Sequence, residues 1–179
     1  MKIPNDPALS GSIVLVKGTH FLSKQIMMHM WILAKMTGRK PLYYSHAETL
    51  IWDYQYNQLL TVGARESGTE CSLADDYYQE QEILILKPKK RLTYGENRDL
   101  WKYYKNIDKS KYQTGNFLFW ITFLKTGIWL SRNGDNRVYC YELAARFADV
   151  TGRWPKGKSL DMVSIYDLYE NENYETYTI

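Results

Sequence analysis

Arg137-Val138-Tyr139-Cys140-Tyr141-Glu142-Leu143-Ala144-Ala145-Arg146-Phe147 is the stretch around which the chain is organised. From Tyr141 onward its spacing predicts a helix. Leu143, Ala144, Phe147 and Ala148 share one face, and Gly152 stands where a C-terminal stop belongs. Gly134-Asp135-Asn136 forms a polar turn ahead of it. Cys140 then lies at or near the first turn of the helix. A thiol there meets unpaired backbone N–H groups and the positive end of the helix dipole, and both favour the nucleophilic thiolate. The plainer reading is a small buried residue packing a helix start, because free cysteine is among the most buried residue types.

A nucleophilic cysteine needs a base. The chain has three histidines, so the search is short: His20, His29 and His46. His46 lies in Leu42-Tyr43-Tyr44-Ser45-His46-Ala47-Glu48-Thr49-Leu50-Ile51-Trp52, which alternates as a strand does. One face carries Tyr44, His46, Glu48, Leu50 and Trp52. His29 falls inside a helical pattern and reads as a structural or surface residue. His20 falls in a loop. A strand-borne His facing a helix-start Cys suits thiol activation, with a third polar group orienting the ring.

The 179 residues fit one domain, 1–179, with a core over 11–150 and a C-terminal extension over 151–179. Charged residues make up 24%, an ordinary globular share. The net charge of +3 is too small to argue for nucleic acid or an anionic membrane by itself. Sixteen Tyr and six Trp suggest an aromatic-lined core or pocket. Cys71 and Cys140 are too few for a disulfide framework and lack metal-ligand spacing. Without a Gly-rich phosphate loop, Cys/His cluster or nucleic-acid module, no metal, cofactor or nucleic-acid partner is expected. The N-terminus has no apolar h-region, so the chain is expected to carry no secretory signal and to be cytoplasmic by default. No apolar run is long enough for a transmembrane segment.

In chain order, Gly11–Lys17 reads as a central strand. A well-buried helix follows over 22–36, with Leu22, Ile26, Met30 and Leu33 as its stripe and Met27, Trp31 and Ala34 widening it. After the His46 strand, Asp53–Gln58 turns into a partner strand over 59–64. Residues 65–72, with Cys71, read as an exposed loop. Tyr77 and Tyr78 stand in a short polar segment. Glu82–Lys87 is a strand closed by Pro88, and the basic cluster Lys87-Pro88-Lys89-Lys90-Arg91 reads as a solvated turn. A helix is expected over 96–107 with Leu100, Trp101, Tyr104 and Ile107 inward. The apolar segment 112–130 reads as a core helix or as one wall of a hydrophobic pocket. A short helix over 161–169 is capped by Ser159 or Ser164.

Five segments in this order resemble the circularly permuted NlpC-type papain-like cysteine hydrolases, the YiiX/YebB-like group. They are Gly11-Ser12-Ile13-Val14-Leu15, Ser45-His46-Ala47, Val62-Gly63-Ala64, Ile83-Leu84-Ile85-Leu86-Lys87-Pro88 and Tyr139-Cys140-Tyr141-Glu142-Leu143. His before Cys is the permuted order. The resemblance covers roughly residues 11–150. It implies an α+β fold, a permuted papain-like domain with a small antiparallel sheet packed against helices. It also implies Cys140 as nucleophile, His46 as general base and the backbone N–H of Cys140 as an oxyanion donor. The chemistry implied is hydrolysis of an amide or (thio)ester bond through a thioester, on a small-molecule, peptide or acyl substrate. In the wider superfamily substrates include cell-wall peptides, and related permuted members act on lipid acyl groups.

Relatives carry a polar residue, often Glu, just before the Ala of the second strand, and here that position is Gly63, which orients nothing. Glu66 and Thr61 are level candidates for the third member. Glu48 ranks below them, because side chains two apart on a strand seldom align for a ring-nitrogen bond. Water or a backbone carbonyl completes the list. Tyr44 and Glu48 on the His46 face, Tyr139 and Glu142 beside the cysteine, and Trp120 in the aromatic segment are candidate substrate-binding residues. An acyltransferase with the same Cys–His pair, or a binding domain without activity, are the rival readings; Gly63 motivates the second.

Overall fold

The computed structural model describes residues 2–19, 21–65, 68–79, 81–107, 111–112, 137–160 and 163–178. Eight strands and five helices organise them. The strands are β1 (Ile13–Val16), β2 (His46–Asp53), β3 (Gln58–Arg65), β4 (Gly68–Leu73), β5 (Ile83–Pro88), β6 (Lys111–Tyr112), β7 (Arg137–Val138) and β8 (Tyr174–Tyr177). The helices are α1 (Phe21–Thr37), the one-turn α2 (Ala74–Tyr77), α3 (Tyr94–Ile107), α4 (Cys140–Val150) and α5 (Ile165–Tyr169). Six strands form one open antiparallel sheet in the order β4-β3-β2-β1-β5-β8. β6 and β7 form a separate parallel pair, with Tyr112 opposite Val138 just ahead of the cysteine helix.

Strand alternation divides the core. From β1 and β2, Ile13, Leu15 and Ala47 join Cys140, Ala144 and Ala148 of α4. Ile51, Val62 and Ala64 join Leu143 and Phe147 of the same helix, with Leu100 of α3. The alternate residues Val14, Val16, Leu50 and Trp52 pack instead with Leu9, Ala74 and Tyr78. Burying Leu143 and Phe147 contributes roughly 1.5–3 kcal/mol each. Ser10 ties the layers, since its hydroxyl bonds Asn97 and accepts the Trp52 amide at 3.0 Å.

Side-chain caps begin two of the helices. Thr93 and Glu96 cap α3 reciprocally: the Thr93 hydroxyl accepts from the Glu96 amide, and the Glu96 carboxylate accepts from the Thr93 amide. Ser164, the second of the two expected caps, begins α5 with a capping box closed by Asp167. The chain beyond residue 150 is part of the main core, because Val163, Ile165, Tyr166 and Leu168 pack with Cys140 and Ala144.

Three expectations are corrected. Residues 68–73 are strand β4, not loop: six consecutive pairings with β3 supply backbone bonds to a stretch with little apolar character, and Cys71 is half-buried. α1 is not well buried. Met30 and Ala34 face the core, but Met28, Trp31, Ile32 and Met36 are exposed. The strand carrying His46 begins at that residue, so Tyr44 precedes it rather than sharing its ladder. The side chains of Leu22, His29 and Leu33 lie outside the described residues, as does His20.

Ser164→Ala is expected to cost about 1 kcal/mol, since it removes the hydroxyl that accepts the Asp167 amide. A urea titration of both proteins reads the loss, and an unchanged midpoint would contradict the capping role.

Candidate active site

α4 begins at Cys140, with Tyr139 as N-cap. Tyr139 makes no side-chain cap bond to the helix it begins. The residues flanking the cysteine are fixed by their rings. The Tyr139 hydroxyl donates to the Val163 carbonyl at 3.0 Å and accepts the Val163 amide at 2.8 Å. The Tyr141 hydroxyl donates to the Tyr44 carbonyl at 3.2 Å, tying the first turn of α4 to the segment that leads into β2. Cys140 itself is 4% exposed.

His46 opens β2 and Cys140 opens α4, and the two meet there. The Cys140 side chain is near enough to raise the basicity of the ring. Nε2 of His46 donates to Oε1 of Glu48 at 3.1 Å. Burial by itself would lower the basicity of His46. The Cys140 charge and hydrogen bond, then those of Glu48, outweigh it and raise the ring to about 10. His46 therefore lies between two groups that favour its charged form.

Glu48 is 1% exposed, and a buried carboxylate must be fully satisfied. Its Oε2 accepts from the Thr61 hydroxyl at 2.6 Å and the Tyr78 hydroxyl at 2.9 Å. Its Oε1 accepts from Nε of Arg65 at 3.3 Å as well as from His46. Burial alone would raise the carboxyl. His46, Arg65 and Thr61 overcome that and hold it at about 2. Burial and the Glu48 charge push the Tyr78 phenol well up, which keeps it protonated as a donor. Arg65 is itself braced, donating to Glu70 at 2.9 Å and Ser72 at 3.2 Å on β4 and lying 4.1 Å over the Tyr77 ring.

Gly63 gives this carboxylate its room. It is the register partner of Glu48 across the β2–β3 ladder. A Cβ at position 63 would stand 2.5 Å from Oε1 and 2.7 Å from Cγ and Cδ of Glu48. The position that looks empty in the sequence is occupied in space by the side chain opposite.

The structure thus brings together Cys140, His46, Glu48 and Thr61. Thr61 bonds the carboxylate and not the ring, while Glu48, the lower-ranked residue, touches His46 directly. Neighbours two apart on a strand are about 7 Å apart, and a Glu side chain is long enough to lean back along the strand to the ring. Glu142 is buried and paired with Arg146 at 2.7 Å within α4, near the helix N-terminus, where a negative charge is favourable. Tyr139 is likewise engaged in positioning the helix start. Glu66 and Trp120 lie outside the described residues. Tyr78 and Arg65 were missed by sequence reasoning. The signal for them was indirect: a carboxylate in the middle of an apolar strand demands buried partners, and a strand glycine marks a close approach. Among the described residues no group of three His, Cys, Asp or Glu side chains is placed to hold a metal ion, and no helix is long and apolar enough to cross a membrane.

No family model matches the chain, and no curated protein matches it. Among solved structures, the metalloprotein YiiX from Escherichia coli O157:H7 superposes with a TM-score of 0.52 at 10% identity, over 97% of this chain and 98% of that one. At that identity the likeness is one of fold: an α+β arrangement similar to that of YiiX.

Two outcomes follow from the Glu48 pocket. Gly63→Ala forces a methyl group into a pinned carboxylate, with an expected cost of roughly 1–3 kcal/mol, read by denaturant unfolding; a neutral result would mean that Glu48 can move aside freely. Protonation is the second lever. The folded carboxyl sits at about 2 against an ordinary 4.5, so the unfolded chain binds more protons between those values. The contribution of Glu48 is full above the ordinary value and lost as pH falls toward the folded one. The drop in urea midpoint from about pH 6 to about pH 3 should be smaller in Glu48→Gln than in the wild type.

Proposed function

We propose that the protein is a cysteine hydrolase of permuted papain-like type, cleaving an amide or (thio)ester bond through a thioester on Cys140. The observation that carries this reading is the half-buried His46 ring, bonded by Nε2 to Glu48 and close enough to Cys140, at a helix N-terminus, for that side chain to raise its basicity. A merely structural cysteine has no need of a histidine so placed, nor the histidine of a carboxylate held by three further donors.

With Nε2 committed to Glu48, Nδ1 is the ring nitrogen left to take the thiol proton. Glu48 fixes the tautomer and orientation of the ring, and it stabilises the imidazolium that results. The Cys140 sulfur attacks the carbonyl carbon of the substrate, and the carbonyl electron pair moves onto oxygen. The backbone N–H of Cys140, at the start of α4, is a donor for that oxyanion, a role whose loss typically costs about 3 kcal/mol of transition-state stabilisation. Collapse of the tetrahedral species breaks the bond to the leaving group, which carries away the proton from His46. A water molecule then adds to the thioester. His46 accepts its proton, the C–S bond breaks, and the acid product leaves with the thiol restored. Glu48 also removes the motive for an inactive binding domain, since the orienting group absent at Gly63 is supplied from the strand opposite. Acyl compounds are the substrate class this chemistry serves, cell-wall peptides and lipid acyl groups among them.

The test is alkylation of Cys140 by iodoacetamide, followed by mass spectrometry across pH. Wild type is expected to label rapidly below about pH 7, while His46→Ala labels only as pH approaches the ordinary thiol range. Cys140→Ser and His46→Ala should each abolish turnover of model esters and amides, and Cys71→Ser should leave it intact. Slow labelling that is identical in wild type and His46→Ala would sink the reading.

A further inference from the structure

The helix that precedes the His46 strand presents an outward face with no use in the site. Lys24, Met28, Trp31, Ile32, Lys35 and Met36 are all exposed. Their spacing sets them within about 140° of helix arc, opposite the buried Met30 and Ala34. Met36 is 69% exposed and Met28 53%, which is costly for apolar side chains that face only water. Nζ of Lys35 lies 4.7 Å over the Trp31 ring, so cation and apolar surface are interleaved rather than segregated.

The segment that carries this face has charge of one sign only. Between Asp6 and Glu48 the chain has no acidic residue, yet it carries Lys17, Lys24, Lys35, Arg39 and Lys40. Acidic groups reach this region only from other elements. Glu82 pairs with Lys17 at 2.6 Å and Glu170 with Arg39 at 3.4 Å, and both of those cations lie outside α1. Lys24, Lys35 and Lys40 are exposed.

We propose that this face of α1 docks on an anionic membrane surface, with Met28, Trp31, Ile32 and Met36 entering the headgroup boundary and Lys24, Lys35 and Lys40 meeting lipid phosphates. The composition favours lipid over protein. Lysine is depleted at protein–protein interfaces, whereas lysine flanking apolar residues and tryptophan characterises helices that lie in the bilayer interface. Long lysine stems let the ammonium groups rise to the phosphates while the apolar residues sink. A second copy of the chain is a poor occupant, because it would bring the same cations face to face. The face uses none of the residues proposed for catalysis, so this inference stands apart from that reading.

Vesicle flotation tests it, with phosphatidylcholine vesicles that either contain or lack phosphatidylserine. Wild type and Cys140→Ser should both float with the anionic vesicles, not with the neutral ones, and less as salt is raised. Lys24→Glu/Lys35→Glu and Met28→Ser/Met36→Ser should each weaken binding by about tenfold or more. These positions are exposed, so circular dichroism should report an intact fold, and the charge variant tests the idea even if the apolar variant unfolds. Failure of the wild type to float with anionic vesicles would overturn the proposal. So would equal flotation of wild type and both variants. Self-association in sedimentation velocity that Met28→Ser/Met36→Ser abolishes would assign the face to a second copy instead.

Discussion

A carboxylate buried in the middle of a sheet is tolerated only when every lone pair is used, and Glu48 imposes that requirement on its whole surroundings. Four donors from three segments converge on it: His46 from its own strand, Thr61 and Arg65 from β3, and Tyr78 from beyond α2. Each donor constrains its element. Tyr78 must be fully buried, so the short helix packs against the sheet face opposite α4. Arg65 must reach inward, and its remaining donors then brace β4. The register of β2 against β3 is pinned as well, because only Gly63 leaves room where the carboxylate lies.

The same pocket fixes the electrostatics of the histidine. With Glu48 held ionised, the charged form of the half-buried His46 is favoured, and the ring lies near the start of α4. The cysteine is held from the other side by unrelated contacts, through the Tyr139 hydroxyl on Val163 and the Tyr141 hydroxyl on the Tyr44 carbonyl. Ring and thiol are thus positioned by two separate scaffolds, one built on the sheet and one on the helix start. The residues beyond 150 matter for this reason, since the chain around Val163 is the anchor for Tyr139.

α1 follows a different logic. Its inner face contributes Met30 and Ala34 to the core, while its outer face carries exposed methionines, a tryptophan and lysines. The helical periodicity of the sequence is real, but it has apolar residues on both sides. Reading every apolar position as inward therefore overstated the burial of this helix. Hydropathy reports affinity for a non-aqueous environment and does not say whether the protein interior provides it.

The sequence alone determined the elements whose signals are local. Alternation gave β2, and short apolar runs bounded by turn residues gave β1, β3 and β5. Helical spacing with Gly152 beyond it gave α4, and Ser164 was one of two expected caps for α5. Cys140 and His46 were singled out by residue type and position. What tertiary structure decided was everything that depends on who lies opposite. β4 is a strand because β3 offers it a ladder; its polar residues have no such preference of their own. Gly63 reads as a missing functional group along the chain, yet it is a space filled by Glu48 from the neighbouring strand. Tyr78 and Arg65 are 30 and 17 residues from the carboxylate they serve. Local propensity acts over one or two turns of chain, whereas satisfying a buried charge is a three-dimensional requirement, and only the folded sheet brings its donors together.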